Sequence, residues 1–181
     1  MFRTQTELFT LDSCDLLWLG RMCVGERRPK ILYSESEISA MCWAMVNRYL
    51  LHPGRKHWLT FAYMLRRFSQ PINPRWLAGG DLAIKNAGKP STSPAKLRRR
   101  AQICKTPWSK IPMRLREDLG RFADGTLLPP DEVLNLANNR ISNWASYKGV
   151  EDLYPGGVWI CGNYFFEDRH LKADVVLPDF W

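Results

Sequence analysis

The residues best placed by type and spacing to do chemistry are cations. Lys96-Leu97-Arg98-Arg99-Arg100 continues through Lys105, Lys110, Arg114 and Arg116 with no acid between. Residues 55–116 carry fifteen basic side chains and one acid, Asp81. The rest of the 181-residue chain carries eleven basic and seventeen acidic residues, so the formal +8 is a +14 middle in a −6 frame. Nucleic acid is a line of phosphates, and binding it releases counterions, so clustered Lys and Arg confer affinity without sequence choice. Trp76 and Trp108 lie in the same segment and would stack on bases if exposed. A solvated loop with core tryptophans is the bland alternative. The absence of acids over residues 85–116 favours a polyanion-binding face. The expected nucleic-acid contacts are Arg55, Lys56, His57, Lys96, Arg98, Arg99, Arg100, Lys105 and Trp108.

Other groups are less specific. In Gly54-Arg55-Lys56-His57-Trp58, a glycine and cations that open a helix would present amides and charge to a phosphate. A plain turn is the alternative there, and Gly25-Glu26-Arg27-Arg28 is weaker still because Pro29 follows. Asn138-Asn139-Arg140 borders an apolar stripe, which suits a pocket wall or an asparagine satisfied by backbone. Metal-assisted phosphodiester hydrolysis needs convergent carboxylates. The acids available are Glu35/Glu37, Glu151/Asp152 and Glu167/Asp168 with His170. Helix starts account for Glu35 and Glu37, and a polar turn accounts for the group at 167–170. Glu151 is the least explained, so it joins Asn138 and Arg140 as the candidate catalytic set. No spacing identifies a metal.

Five scattered cysteines (14, 23, 42, 104 and 161) and three histidines without helical pairing predict reduced thiols in a cytoplasm. They predict no zinc site, and no haem is expected. No apolar run approaches the ~18–20 residues of a membrane-spanning helix, and the first residues lack the apolar core of a secretory signal.

The elements that must position these groups read as α+β, in one domain covering 1–181. Short strands are expected at 7–11, 16–24 and 30–33. A helix follows from Ser34-Glu35-Ser36-Glu37, a capping box, with Ile38, Met41, Cys42, Met45, Val46 and Tyr49 at helical spacing. Residues 55–68 fit either a helix or a strand. Ser93-Pro94 opens a basic helix over 95–103. Pro112 opens another, with Leu115, Leu119 and Phe122 on one side. A last helix is expected from Pro130 to Gly149, then strands at 158–166 and 173–177. Strands at both ends with helices between predict a sheet that unites the termini.

The sequence resembles the plasmid fertility-inhibition factors across the whole chain. The likeness is most visible in Leu16-Leu17-Trp18-Leu19-Gly20-Arg21-Met22-Cys23 and Val158-Trp159-Ile160-Cys161-Gly162-Asn163-Tyr164. The resemblance implies a ParB/sulfiredoxin-like single domain, with terminal strands forming a sheet around central helices. It implies a cytoplasmic protein, peripheral at the inner membrane, that binds DNA and blocks conjugative or T-DNA transfer through a type IV secretion system. DNase and ATPase activity with Mg2+ and ATP would follow, as would a secretion coupling protein or relaxase complex as partner. The ParB-type phosphate box, G-x-R-R-aromatic, is matched loosely by Gly54, Lys56, His57 and Trp58, with Lys and His in place of both arginines. The G-C-H-R setting of a sulfiredoxin cysteine is absent. A non-enzymatic protein that docks its basic face on an acidic secretion or relaxase component is the competing expectation.

Overall fold

The computed structural model of the protein describes residues 2–3, 8–26, 33–51, 60–73, 94–136 and 140–168. In chain order these form β1 (Phe2–Arg3), β2 (Leu8–Phe9), α1 (Ser13–Glu26), α2 (Glu35–Leu51), α3 (Phe61–Phe68) and α4 (Pro94–Lys105). Next come α5 (Met113–Asp124), α6 (Asp131–Leu134), β3 (Asn143–Ala145), α7 (Val150–Leu153), β4 (Val158–Ile160) and β5 (Asn163–Phe166). Single 3-10 turns occupy Gln70–Ile72 and Trp108–Lys110. The described residues are thus α+β and mostly helical, with one three-stranded antiparallel sheet near the C-terminal end.

α2 starts where the capping box predicts, the Glu37 amide donating to Ser34 Oγ at 3.2 Å. Its apolar stripe is only half of what it buries, because the opposite side is inside the fold as well. The buried polar residues there are satisfied by carbonyls of the later chain, as burial demands. Ser39 Oγ donates to the Leu128 carbonyl, Trp43 Nε1 to Leu127, Asn47 Nδ2 to Ile141 and Arg48 Nε to Ser142. The Glu37 carboxylate also reaches across the fold, accepting from Asn163 Nδ2 at 2.6 Å. α2 therefore packs against α5 and the sheet as well as α1 and α3.

Residues 16–24 form a helix where a strand is expected. The physical cause lies one turn earlier. The Asp15 amide donates to Asp12 Oδ1 at 2.8 Å while the Asp12 amide turns to Asp15 Oδ2 at 3.3 Å, a reciprocal cap. The other Asp15 oxygen accepts from the Ala62 amide at 2.9 Å, in the first turn of α3. One buried carboxylate thus starts two helices. Thr60 completes the start of α3 by accepting from Tyr63, which settles the 61–68 ambiguity as a helix.

α4 and α5 follow the predicted starts, and α5 stops at Gly125, whose φ of +83° is a left-handed cap. The long helix expected from Pro130 to Gly149 does not form. α6 is a single turn, Ser142 donates to the Phe166 carbonyl, and Asn143, Trp144 and Ala145 pair with Phe166, Phe165 and Tyr164. Aromatic partners across a strand outweigh a helical stripe here. Gly149, at φ +81°, begins α7 instead of ending a helix. The strand expected at 158–166 is a hairpin turning at Cys161 and Gly162, both at positive φ (48° and 83°).

Among the described residues β1 pairs with β2, and the three-stranded sheet, in the order β3-β5-β4, is drawn from residues 143–166 and takes in neither of them. Phe165 and its neighbours Trp144 and Val158 face the main core, while Tyr164 and Phe166 pack on Val150 and Tyr154 behind it. The strand expected at 173–177 lies outside the described residues, as do residues 30–32 of the strand expected at 30–33.

Candidate nucleic-acid interface

α4 is held by its inner side. Ile103 is buried, and the Cys104 thiol reaches the carbonyls of Pro71 and Ile72 at 3.9 and 3.8 Å. That seats the helix on the 3-10 turn and on α1. Arg98, Arg99 and Lys105 on the same helix are all exposed, and the Lys96 side chain lies outside the described set. Arg100 turns inward: it is half-buried, with burial lowering its pKa and the Glu26 carboxylate raising it. Glu26 itself is pushed up to about 7 by burial, against the Ser69 hydroxyl that donates to it at 3.0 Å and the Arg100 charge. The basic run is therefore split, with Arg98, Arg99 and Lys105 in water and Arg100 turned into the field of Glu26.

Trp108 is half-buried against the core, and its ring edge would lie 3.4 Å from a side chain placed at Gly20. It serves packing at least in part. Arg55, Lys56 and His57 lie outside the described residues, as does Asn138. Arg140 and Glu151 are described, on different elements. Arg140 Nε donates to Glu167 Oε1 at 2.7 Å with its side chain 10% exposed, and Glu151 is exposed in the first turn of α7.

Two cations not singled out by sequence stand beside α4. Arg21 of α1 and Arg66 of α3 both lie over the Trp18 indole, with guanidinium carbons 4.5 and 4.6 Å from a ring centroid. Arg21 Nε donates to the Thr106 carbonyl just beyond α4, at 2.9 Å. Burial lowers the Arg21 pKa, nearby Cys104 and Cys14 raise it, and the Arg66 charge lowers it again. Cys104 is likewise raised by burial and lowered by both arginines. The available signal was Trp18-x-x-Arg21. On a helix these residues share a face, whereas the expected strand puts them on opposite ones.

Four of the candidate acids are engaged elsewhere. Glu35 binds Arg121 at 2.8 Å, Glu37 binds Asn163, Glu167 binds Arg140, and Asp168 binds Arg48 at 2.8 Å. Among the described residues no group of three or more His, Cys, Asp and Glu side chains converges to hold a metal ion. A cleft of about 490 Å³ opens between the start of α2 and residues 126–132. Its charged lining is Glu35, Asp131, Glu132 and Arg121, an acidic balance that repels phosphate. Among the described residues all five cysteines are free thiols, and no helix is long and apolar enough to cross a membrane.

No family model, curated protein or solved structure matches the chain.

Proposed function

We propose that this chain is a DNA-binding fertility-inhibition protein that acts in the cytoplasm against conjugative or T-DNA transfer through a type IV secretion system. The observation that carries the binding step is the set of exposed cations on adjoining elements: Arg66, Arg67, Arg98, Arg99, Lys105 and Lys110. Among the described residues none of them has an ion-pair partner. Solvated cations left unneutralised by the protein's own acids suit a phosphate backbone. The biological role rests on the resemblance in residues 16–23 and 158–164, and the ParB/sulfiredoxin-like arrangement belongs to the same proposal.

DNA cleavage with nucleotide hydrolysis, using Mg2+ and ATP, is the chemical extension of this reading. It would draw on Asn138, Arg140 and Glu151. The alternative is a non-enzymatic protein whose basic face docks on an acidic coupling-protein or relaxase surface. The engagement of Glu35, Glu37, Glu167 and Asp168 in structural contacts favours binding over cleavage.

Purified protein is incubated with plasmid DNA, with Mg2+ or EDTA, beside an Arg98/Arg99/Arg100→Ala variant. Binding should weaken with salt at a log–log slope near −0.9 per neutralised phosphate, and the variant should lose about two units of that slope. Metal-dependent nicking lost in the variant supports the enzyme; binding without nicking supports the interaction protein. No binding at low salt overturns the DNA reading.

A further inference from the structure

We propose that Arg21 and Arg66, gathered on the Trp18 ring, form a binding site for a phosphate group of a DNA backbone or of a free polyphosphate. In its DNA form the proposal rests on the reading above; in its polyphosphate form it stands alone.

Two guanidiniums on one indole repel each other, and the Arg66 charge acts on Arg21. A fold tolerates such a pair more readily when an anion joins it. Among the described residues no carboxylate pairs with either cation. The groups that act on Arg21 are the Cys104 and Cys14 thiols, the Arg66 charge and the Thr106 carbonyl. The carbonyl occupies Nε, so the terminal amino groups of Arg21 are left for another acceptor. The planar fork of each arginine suits bidentate contact with a phosphate, which a lysine at either position could not make.

The rigidity of the site is what sets it apart from the exposed run on α4. The indole is held on α1, Arg21 is fixed to the chain after α4, and α3 is capped by Asp15 of α1. Three elements thus meet around the Trp18 ring. Arg98 and Arg99 have no comparable support and would contact a backbone as mobile charges.

The test titrates inorganic pyrophosphate, and separately a short DNA duplex, into the wild-type chain, Arg66→Gln, and Arg98→Ala/Arg99→Ala. Arg66→Gln is an exposed change, and its thermal melt reports whether the fold is kept. Pyrophosphate affinity should fall about tenfold in Arg66→Gln and by less in the double variant. For the duplex, Arg66→Gln should flatten the salt slope by about one unit. Pyrophosphate binding lost in Arg66→Gln without any DNA binding sustains the site, assigns it to a free polyphosphate and overturns the DNA reading. A flattened duplex slope without pyrophosphate binding sustains the site as a backbone contact. If Arg66→Gln matches the wild type towards both probes, or the wild type binds neither, the site is overturned.

Discussion

Single carboxylates carry more than their own charge in this protein. Asp15 holds the first turns of two helices and pays for this with burial, which raises its pKa despite the amides of Asp12 and Ala62. Glu26 has a milder setting and a clearer consequence. Its ordinary value of 4.5 is raised to about 7, with burial the largest cause. The folded state therefore holds this proton where the unfolded chain has released it. The contribution to stability is full below about pH 4.5 and is lost as pH rises through about 7. Glu26→Gln should remove this decline, leaving the variant more stable than wild type at pH 8 by on the order of 1–2 kcal/mol. Thermal melts from pH 5 to pH 8 read this directly, and parallel curves for the two proteins would contradict it. The glutamine carbonyl still accepts from Ser69, so the change isolates the charge. In the candidate site, by contrast, arginine was legible on α4 from charge alone. Arg21 and Arg66 were not, because their role depends on which ring they share.

At the level of elements, local signals were sufficient where a cap or a proline and an apolar stripe agreed. α2, α4 and α5 are of this kind, and their starts were readable from Ser34, Pro94 and Pro112. α1 was misread because Leu16–Leu19 is a continuous apolar run that suits a strand. The deciding signal was the Asp12-x-x-Asp15 pair before it. The segment after α6 failed in the opposite direction. Its 3.6-residue stripe is real, but its pairing partners, Tyr164 to Phe166, lie twenty residues further on. The β4–β5 hairpin also depends on a close approach at Gly157. A side chain there would meet the Phe165 carbonyl at 2.2 Å and the Tyr164 ring at 2.7 Å. The Gly157 amide meanwhile donates to Tyr164 Oη at 2.8 Å, and that hydroxyl donates to the Tyr154 carbonyl. Gly157→Ala should therefore cost about 2 kcal/mol or more in a urea titration, since overpacking against backbone cannot relax by a rotamer change. An unchanged midpoint would show that the hairpin yields.

Across the whole molecule, the opposed charge regions of the chain do not map onto one basic and one acidic half. Arg48, outside the basic middle, is buried and holds three groups at once: the Ser142 carbonyl at 2.7 Å, Asp168 at 2.8 Å and the face of Phe68. Burial lowers its pKa and Asp168 raises it. Arg48→Met would take the guanidinium from Asp168, leaving the Asn143 amide at 3.4 Å, and should destabilise the chain by about 3–5 kcal/mol. Adding Asp168→Asn should restore much of the loss, and additive effects in the double variant would mean that the pair is not coupled. The α+β class was readable from patterning, as was the concentration of basic residues in the middle of the chain. The closure of the late chain onto α2 was not, since its bonds span from 84 to 126 residues.

Those spans also order the events of synthesis. α2 leaves the ribosome with a glutamate and an arginine destined for the interior, and their partners Asn163 and Asp168 follow 126 and 120 residues later. Until they arrive, Glu37 and Arg48 keep their water, and α2 has no finished core to enter. Folding must wait for the slow closure of a long loop, so the nascent chain presents its cationic middle to the cell before the structure that arranges those cations exists.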